Sequence, residues 1–327
     1  MEKMKRGVIV LIGIISAVIL LVLIGPFLIP IPEIPGAVSE IELADPDSQF
    51  INLNGYTLHY KEMGTGEPVF LLLHGLGPGL FTWEDLMEPL SKYGRVIAID
   101  RPAAGLSERP LGEALDSSNP YAADDQVIMI LDLMAALEID RVNLVGNSAG
   151  GSLAVYTYLI APQYVESLIL VDAAIYSGGG APAFVKPLLQ TPQLRRIGPL
   201  FVRPLFENPI NFLESAWYLD SKINITTIEG YQQLSIIENW DLAFWELSIA
   251  GEELNLPDRI PEIKVPVLVV SGQEDEIVPL EDSQRLAEEI LGASMVILPE
   301  CGHLPQEECP IDLLEAIVVF INSLNGK

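Results

Sequence analysis

Val142-Asn143-Leu144-Val145 runs directly into Gly146-Asn147-Ser148-Ala149-Gly150, and a helix-like stretch follows from Gly151 to Ile160. A serine held at a sharp turn between a buried strand and a helix presents its hydroxyl at the edge of a sheet. Glycines two places to either side let the backbone pass close by. Five letters of this kind are weak evidence alone; the apolar run before them and the helical stretch after them give the string its meaning. The pattern is that of a nucleophile elbow, and a serine so placed can attack a carbonyl carbon.

Working outward, the periodicities continue almost without a gap. Phe50 to Leu53 and Tyr56 to Lys61 flank Asn54-Gly55, the strongest short hairpin signal, so the domain opens on two antiparallel strands. Apolar runs at 69–73, 96–99, 142–145, 168–171, 267–270 and 295–298 read as buried strands. Helical stretches at 83–93, 122–137, 151–160, 283–291 and 311–324 alternate with them. That alternation predicts a mostly parallel sheet with helices on both faces. The pattern breaks between about residues 175 and 260, a Gly- and Pro-punctuated region rich in Trp217, Tyr218, Tyr231, Trp240, Phe244 and Trp245, which reads as an inserted helical cap.

A serine hydroxyl needs a base, and the base needs an orienting acid. Of the three histidines, His59 lies in the opening hairpin and His74 ends the third strand, whereas His303 follows the last strand. Catalytic groups of a parallel sheet gather beyond the carboxyl ends of its strands, which selects His303 as general base. The loop after the preceding strand, 271–276, offers Glu274, Asp275 and Glu276, and Asp275 is the chosen acid. Asp172, after the sixth strand, is its rival. Cys301 and Cys309 flank His303 closely enough to pair in an oxidising compartment, or to remain free.

The order Ser148, Asp275, His303, with His74-Gly75 after the third strand, resembles the α/β-hydrolase fold family from about Phe50 to Leu324. The resemblance implies an eight-stranded, mostly parallel sheet bearing a cap. It also implies that Ser148, Asp275 and His303 act together, and that the backbone N–H groups of Leu76 and Ala149 receive an oxyanion. It makes the His74 side chain structural. Where family members often carry Gly and an aromatic residue or His after Asp-Arg-Pro, this chain has Ala103 and Ala104, which questions the local turn. Ser148 excludes the branches that use an aspartate nucleophile.

The first residues are of another kind. Lys3, Lys5 and Arg6 precede an uncharged run, of which 7–25 would span about 28 Å as a helix, close to the ~30 Å of a bilayer's hydrocarbon core. The run exceeds the apolar core of about 7 to 15 residues found in cleaved signal peptides, which favours an uncleaved anchor. Cations in front place the N-terminus inside and the remaining chain outside the membrane. The expected organisation is an anchor over 1–32, a stiff extended linker over 33–47 punctuated by Pro35 and ending in acidic residues, and a hydrolase domain over 48–327.

The formal charge of −27 argues against nucleic acid or an anionic lipid surface as the main partner of the soluble part, because the field repels phosphates. Serine-based acyl chemistry needs no cofactor, and no metal-ligand cluster stands out in the sequence. An apolar, aromatic cap with little cationic content suggests an uncharged, hydrophobic small-molecule substrate, so the expectation is an esterase acting through an acyl-enzyme. Three alternatives remain open. A carbon–carbon bond hydrolase of ring-cleavage products shares the Gly-Asn-Ser elbow and would aim Arg195, Arg196 or Arg203 at the serine. A proline-type aminopeptidase would need Glu238 or Glu246 there, and a non-catalytic ligand-binding protein would keep the pocket without turnover.

Overall fold

The structure is a computed structural model that describes residues 2–77, 79–115, 119–177, 184–206, 208–251 and 254–325. Met1 of the expected anchor, 178–183, 207 and 252–253 of the expected cap, and 326–327 at the end of the domain lie outside the described residues. Eight strands, β1 (Gln49–Leu53), β2 (Tyr56–Met63), β3 (Val69–Leu73), β4 (Arg95–Ile99), β5 (Val142–Asn147), β6 (Val165–Val171), β7 (Val267–Gly272) and β8 (Ser294–Leu298), form one sheet in the order β1-β2-β4-β3-β5-β6-β7-β8. The pairs β1–β2 and β2–β4 are antiparallel, and the other pairs are parallel.

The parallel strands read as continuous apolar runs because both of their faces are covered. On one face Leu71, Leu73, Leu144 and Leu170 pack with α3 (Ala123–Ala136), α4 (Ala149–Ile160) and α11 (Leu280–Glu289), whose contributions include Ile130, Leu133, Leu153 and Leu286. On the other, Phe70, Leu72, Val145 and Val171 pack with Leu86 and Met87 of α2 (Glu84–Ser91) and Leu313 and Ile317 of α13 (Pro310–Asn325). Strand β6 begins three residues before its expected start. Ser167 is polar, but it is buried and donates to Asn143 Oδ1 at 2.7 Å, while Asn143 Nδ2 donates to the Val69 carbonyl at 3.0 Å. A satisfied polar pair sits inside a sheet at little cost, and hydropathy cannot reveal the pairing.

After β3 the chain crosses to β4 on one side, and after β4 it returns to β5 on the other. The crevice beyond β3 and β5 is therefore the topological switch point where open α/β sheets bind ligands. His74-Gly75 leaves β3 there, and Ser148 leaves β5.

Between β6 and β7 the described residues form α5 (Lys186–Leu189), α6 (Pro192–Phe206), α7 (Pro209–Ala216), α8 (Ile225–Gln233), α9 (Trp240–Ala250) and α10 (Leu256–Arg259). At the other end of the chain, α1 covers Glu2–Leu28 and contains Pro26. Within it, Arg6–Leu28 is long and apolar enough to cross a membrane, and none of it is buried against the protein.

The linker makes specific contacts with the domain. Val38 forms a parallel bridge with Ile237 next to α9, and Glu40 pairs with the buried Arg109 at 3.2 Å. Lys61 on β2 gathers Asp45 at 2.8 Å, Asp47 at 3.3 Å and Glu84 at 3.1 Å. Burial works against the Lys61 charge, but Asp45 and Glu84 outweigh it and hold the ammonium above its ordinary value. The acidic end of the linker is a docking strap for that buried cation.

Candidate active site

Ser148 has φ 52° and ψ −120°, a left-handed backbone that costs a non-glycine residue about 1–3 kcal/mol and persists only where its surroundings impose it. The imposition comes from both sides. The Ser148 N–H donates to the Val171 carbonyl at 3.0 Å, and the Ser148 carbonyl accepts from Gly151, Ser152 and Ala174 at 3.0, 3.2 and 3.1 Å. The neighbouring glycines are steric requirements. A Cβ on Gly146 would lie 2.4 Å from the Gly150 carbonyl oxygen, and one on Gly150 would lie 2.1 Å from the Leu73 carbonyl oxygen.

His303 follows β8 and is buried; its Nδ1 lies 2.7 Å from Asp275 Oδ2. With Nδ1–H donating to the carboxylate, Nε2 is left as the acceptor, which is the tautomer a general base requires. The other Asp275 oxygen accepts the N–H groups of Ile277 at 2.7 Å and Val278 at 2.9 Å, so the carboxylate is fixed at both ends. Asp172 is fully buried beside it. Asp172 accepts from Ser271 Oγ at 2.8 Å and the Gly272 N–H at 3.0 Å. Burial, then the charge of Asp275, push Asp172 well above the usual carboxylate range. The rival acid thus lies against the chosen one, and the contact with the imidazole belongs to Asp275.

Ala149 opens α4, where an N–H has no acceptor within the helix and the helix dipole favours negative charge. Leu76 follows Gly75, on which a Cβ would lie 3.2 Å from Ser148 Cβ, so that loop runs directly past the nucleophile. Beneath it, His74 Nε2 accepts from the Arg101 N–H at 2.8 Å, and its Nδ1 lies 2.7 Å from the Gly75 carbonyl oxygen. Burial and the adjacent Arg101 charge lower His74 to about 4, which keeps it neutral and suited to this structural task. Arg101 Nη1 donates to the His74 carbonyl at 2.9 Å, and burial lowers its guanidinium to about 10.

Several contributors escaped the sequence reading. Asn147 Nδ2 donates to the His303 carbonyl at 3.0 Å and to the Val171 carbonyl at 3.3 Å, tying the elbow to the histidine loop. Glu308 is buried and accepts from the N–H groups of Gly302 at 2.7 Å, Leu219 at 2.8 Å and Tyr218 at 3.1 Å. It thereby fastens that loop to the segment after α7. Of the two outcomes the sequence left open for Cys301 and Cys309, pairing is the one found: a disulfide joins them across the same loop, with Cα atoms 6.3 Å apart. His59, read as a plain hairpin residue, is buried with Nδ1 2.6 Å from Asp100 Oδ2. Asp100 in turn accepts the N–H groups of Leu80 and Leu106, both at 2.6 Å. Burial raises the Asp100 carboxyl, but the His59 hydrogen bond, nearby charge and the Leu106 N–H outweigh it and hold the group low. The only sequence signals were the variable letter of the elbow motif and acidic residues beside His303 and β4.

A small cavity is lined by Gly75, Leu76 and Ala103 and, from α9, by Phe244 and Leu247, among others. A larger cleft of about 670 Å³ opens between the linker and the cap, lined by Pro32, Ile34, Arg203 and Asp241 among others. Of the two, the first lies beside the serine turn, because Gly75, which lines it, passes close to Ser148.

The family model for the alpha/beta hydrolase fold matches residues 68–310, and the chain belongs to that family. It is 29% identical over 272 residues to the 2-hydroxy-6-oxononadienedioate/2-hydroxy-6-oxononatrienedioate hydrolase of Escherichia coli (strain K12), covering 80% of this chain and 91% of that protein. A thermophilic esterase from Thermogutta terrifontis is 25% identical with a TM-score of 0.67, covering 84% of this chain and 98% of that one. A bacterial membrane phospholipase A, at 21% identity and TM-score 0.65, shares the fold over 100% of both chains.

Proposed function

We propose that this hydrolase is a membrane-anchored serine hydrolase of carboxylic esters or related acyl compounds. The observation that carries the reading is the carboxylate-bound His303, tied through Asn147 to the strained Ser148. In the proposed reaction Ser148 Oγ bonds to the acyl carbon as His303 Nε2 takes its proton. Asp275 steadies the imidazolium, and the N–H groups of Leu76 and Ala149 receive the oxyanion, each donor contributing about 3 kcal/mol. Collapse expels the alkoxide, which leaves with the proton from His303. Water, deprotonated by the same imidazole, then cleaves the acyl-serine.

The ester reading is supported by the commitments of the cap's arginines. Arg195 is engaged by Glu246 at 3.0 Å, Arg203 by Asp241 at 2.8 Å, and Arg196 donates to the Ile29 carbonyl. An acidic dienoate substrate would need one of them turned toward the serine. Carbon–carbon bond hydrolysis is the second reading, favoured by the Escherichia coli relative and the Gly-Asn-Ser elbow. The aminopeptidase reading loses support, since Glu246 is committed to Arg195 and Glu238 lines the linker cleft.

The anchor reading rests on α1, whose 23-residue apolar span Arg6–Leu28, uncharged after Arg6, reaches about 34 Å. The Cys301–Cys309 disulfide fits a domain on the oxidising side. Protease added to intact cells should remove the domain; digestion only after the inner face is opened would reverse the orientation.

Fluorophosphonate treatment of the full chain in detergent, beside Ser148→Ala, tests the nucleophile. Adduct formation at Ser148 that vanishes in the variant is expected, together with turnover of p-nitrophenyl acyl esters. Absence of labelling in folded protein would reject serine catalysis. Faster turnover of a dienoate ring-cleavage product than of any ester would select the second reading.

A further inference from the structure

We propose that the cap segment Phe184–Phe206 is a second membrane contact, lying in the outer headgroup and upper acyl region of the bilayer that α1 crosses. This rests on the reading of α1 as a transmembrane anchor.

The charge distribution is the first observation. The chain carries 45 acidic residues, yet from Ala173 to Phe206 there is none, while Lys186, Arg195, Arg196 and Arg203 all fall in that stretch. Arg195 and Arg203 are paired with Glu246 and Asp241, whereas Lys186 and Arg196 bond to backbone carbonyls and, among the described residues, keep their charge uncompensated there. Cations on an amphipathic helix favour an anionic lipid surface, which the rest of this acidic domain would avoid.

Geometry is the second. Helix α6 runs beside the anchor in the same direction: Gln193 Nε2 donates to the Leu23 carbonyl at 3.2 Å, Arg196 Nη2 to Ile29 at 3.5 Å and Arg203 Nη1 to Pro32 at 2.7 Å. Leu23 lies five residues before the outer end of the span at Leu28, a depth of about 7.5 Å. The start of α6 therefore sits below the outer boundary of the apolar layer, and its cations rise to headgroup level. A glutamine at that depth needs a protein partner, which the Leu23 carbonyl supplies.

Exposure is the third. Phe184 is 86% exposed, Leu188 60% and Phe201 61%, three large apolar side chains that the protein leaves uncovered on the segment tied to the anchor. Lipid is the occupant that accounts for the depth, the cations and the apolar exposure together. It also brings the cap over Ser148 to the surface from which a hydrophobic acyl substrate would arrive.

The test uses the full chain in phosphatidylcholine bilayers containing phosphatidylglycerol, with single-cysteine variants Val22→Cys, Leu188→Cys, Phe201→Cys and Leu291→Cys labelled by bimane under non-reducing conditions. Quenching by doxyl-labelled lipids reports contact with acyl chains. Leu291, 91% exposed and following α11, is the reference for a water-facing site. The expected result is quenching at 188 and 201 several-fold above that at 291, together with quenching at 22. Quenching at 22 with 188 and 201 equal to 291 would overturn the proposal and leave the anchor intact. No quenching at 22 would overturn the anchor and the proposal with it.

Discussion

Asn147 stands between the last glycine of β5 and the nucleophile, and its amide holds two carbonyls, one of them on His303. Its position in the elbow was legible, but its partner was not, because that partner lies 156 residues away. Asn147→Ala leaves both acceptors without that donor, a loss of about 1–2 kcal/mol in the placement of the imidazole. We expect kcat to fall roughly tenfold with KM little changed. Unaltered steady-state kinetics would show that the tie is not needed. The two aspartates separate more sharply. Asp275→Asn should lower kcat by about 10⁴-fold, since an amide can force the wrong imidazole tautomer. Asp172→Asn leaves the Asp275–His303 contact in place and should stay within about tenfold of the parent. The reverse ranking would move the acid to Asp172. Ala103 is the residue whose conformation the sequence questioned, and it does adopt φ 70°. The turn keeps its shape with alanine because the Ala104 N–H closes onto the Arg101 carbonyl at 3.0 Å, and because Gly105 leaves room for the Asp100 carboxylate.

At the scale of elements, the histidine loop is held by the short helix α12 (Pro305–Glu308), which faces the cap. Glu307 of α12 accepts from Tyr231 Oη of α8 at 2.9 Å. Burial pushes its carboxyl up; the Tyr231 bond opposes this, the charge of Asp85 adds to it, and the group reaches about 8. Below about pH 4 the group is neutral in both folded and unfolded chains. From there to about pH 8 only the unfolded chain releases the proton, so this residue makes stability decline as pH rises through that window, with no further loss above it. Glu307→Gln removes the titration. Its melting temperature should therefore gain on that of the parent steadily from pH 4 to pH 8. Melting curves with a constant offset at every pH would contradict the assignment. The strands and the longer helices were readable because each repeats a period of two or 3.6 with both faces or one face apolar. Helix α12, four residues long, has no period to read and is fixed by Glu308, the disulfide and Tyr231.

Across the whole molecule, the linker joins α1 to the domain and is docked on the domain. Lys61 gathers three carboxylates, two of them from the linker, so Lys61→Met leaves those charges facing an apolar side chain. A Glu-specific protease should then cut at Glu40 and Glu42 several-fold faster, with turnover of a soluble ester unchanged. Equal cleavage rates would mean that Val38 and Arg109 hold the strap without the lysine. The sequence by itself determined the α/β class, the serine elbow, the histidine after the last strand and the apolar N-terminal span. Each is written in local order, as an apolar period, a turn motif or an uninterrupted run. Only the tertiary structure decided which aspartate touches His303, how Asn147 and Glu308 tie the loops, and that the linker is docked on the domain. Those outcomes depend on contacts between residues far apart in the chain, where burial and hydrogen-bond geometry choose among chemically equivalent candidates.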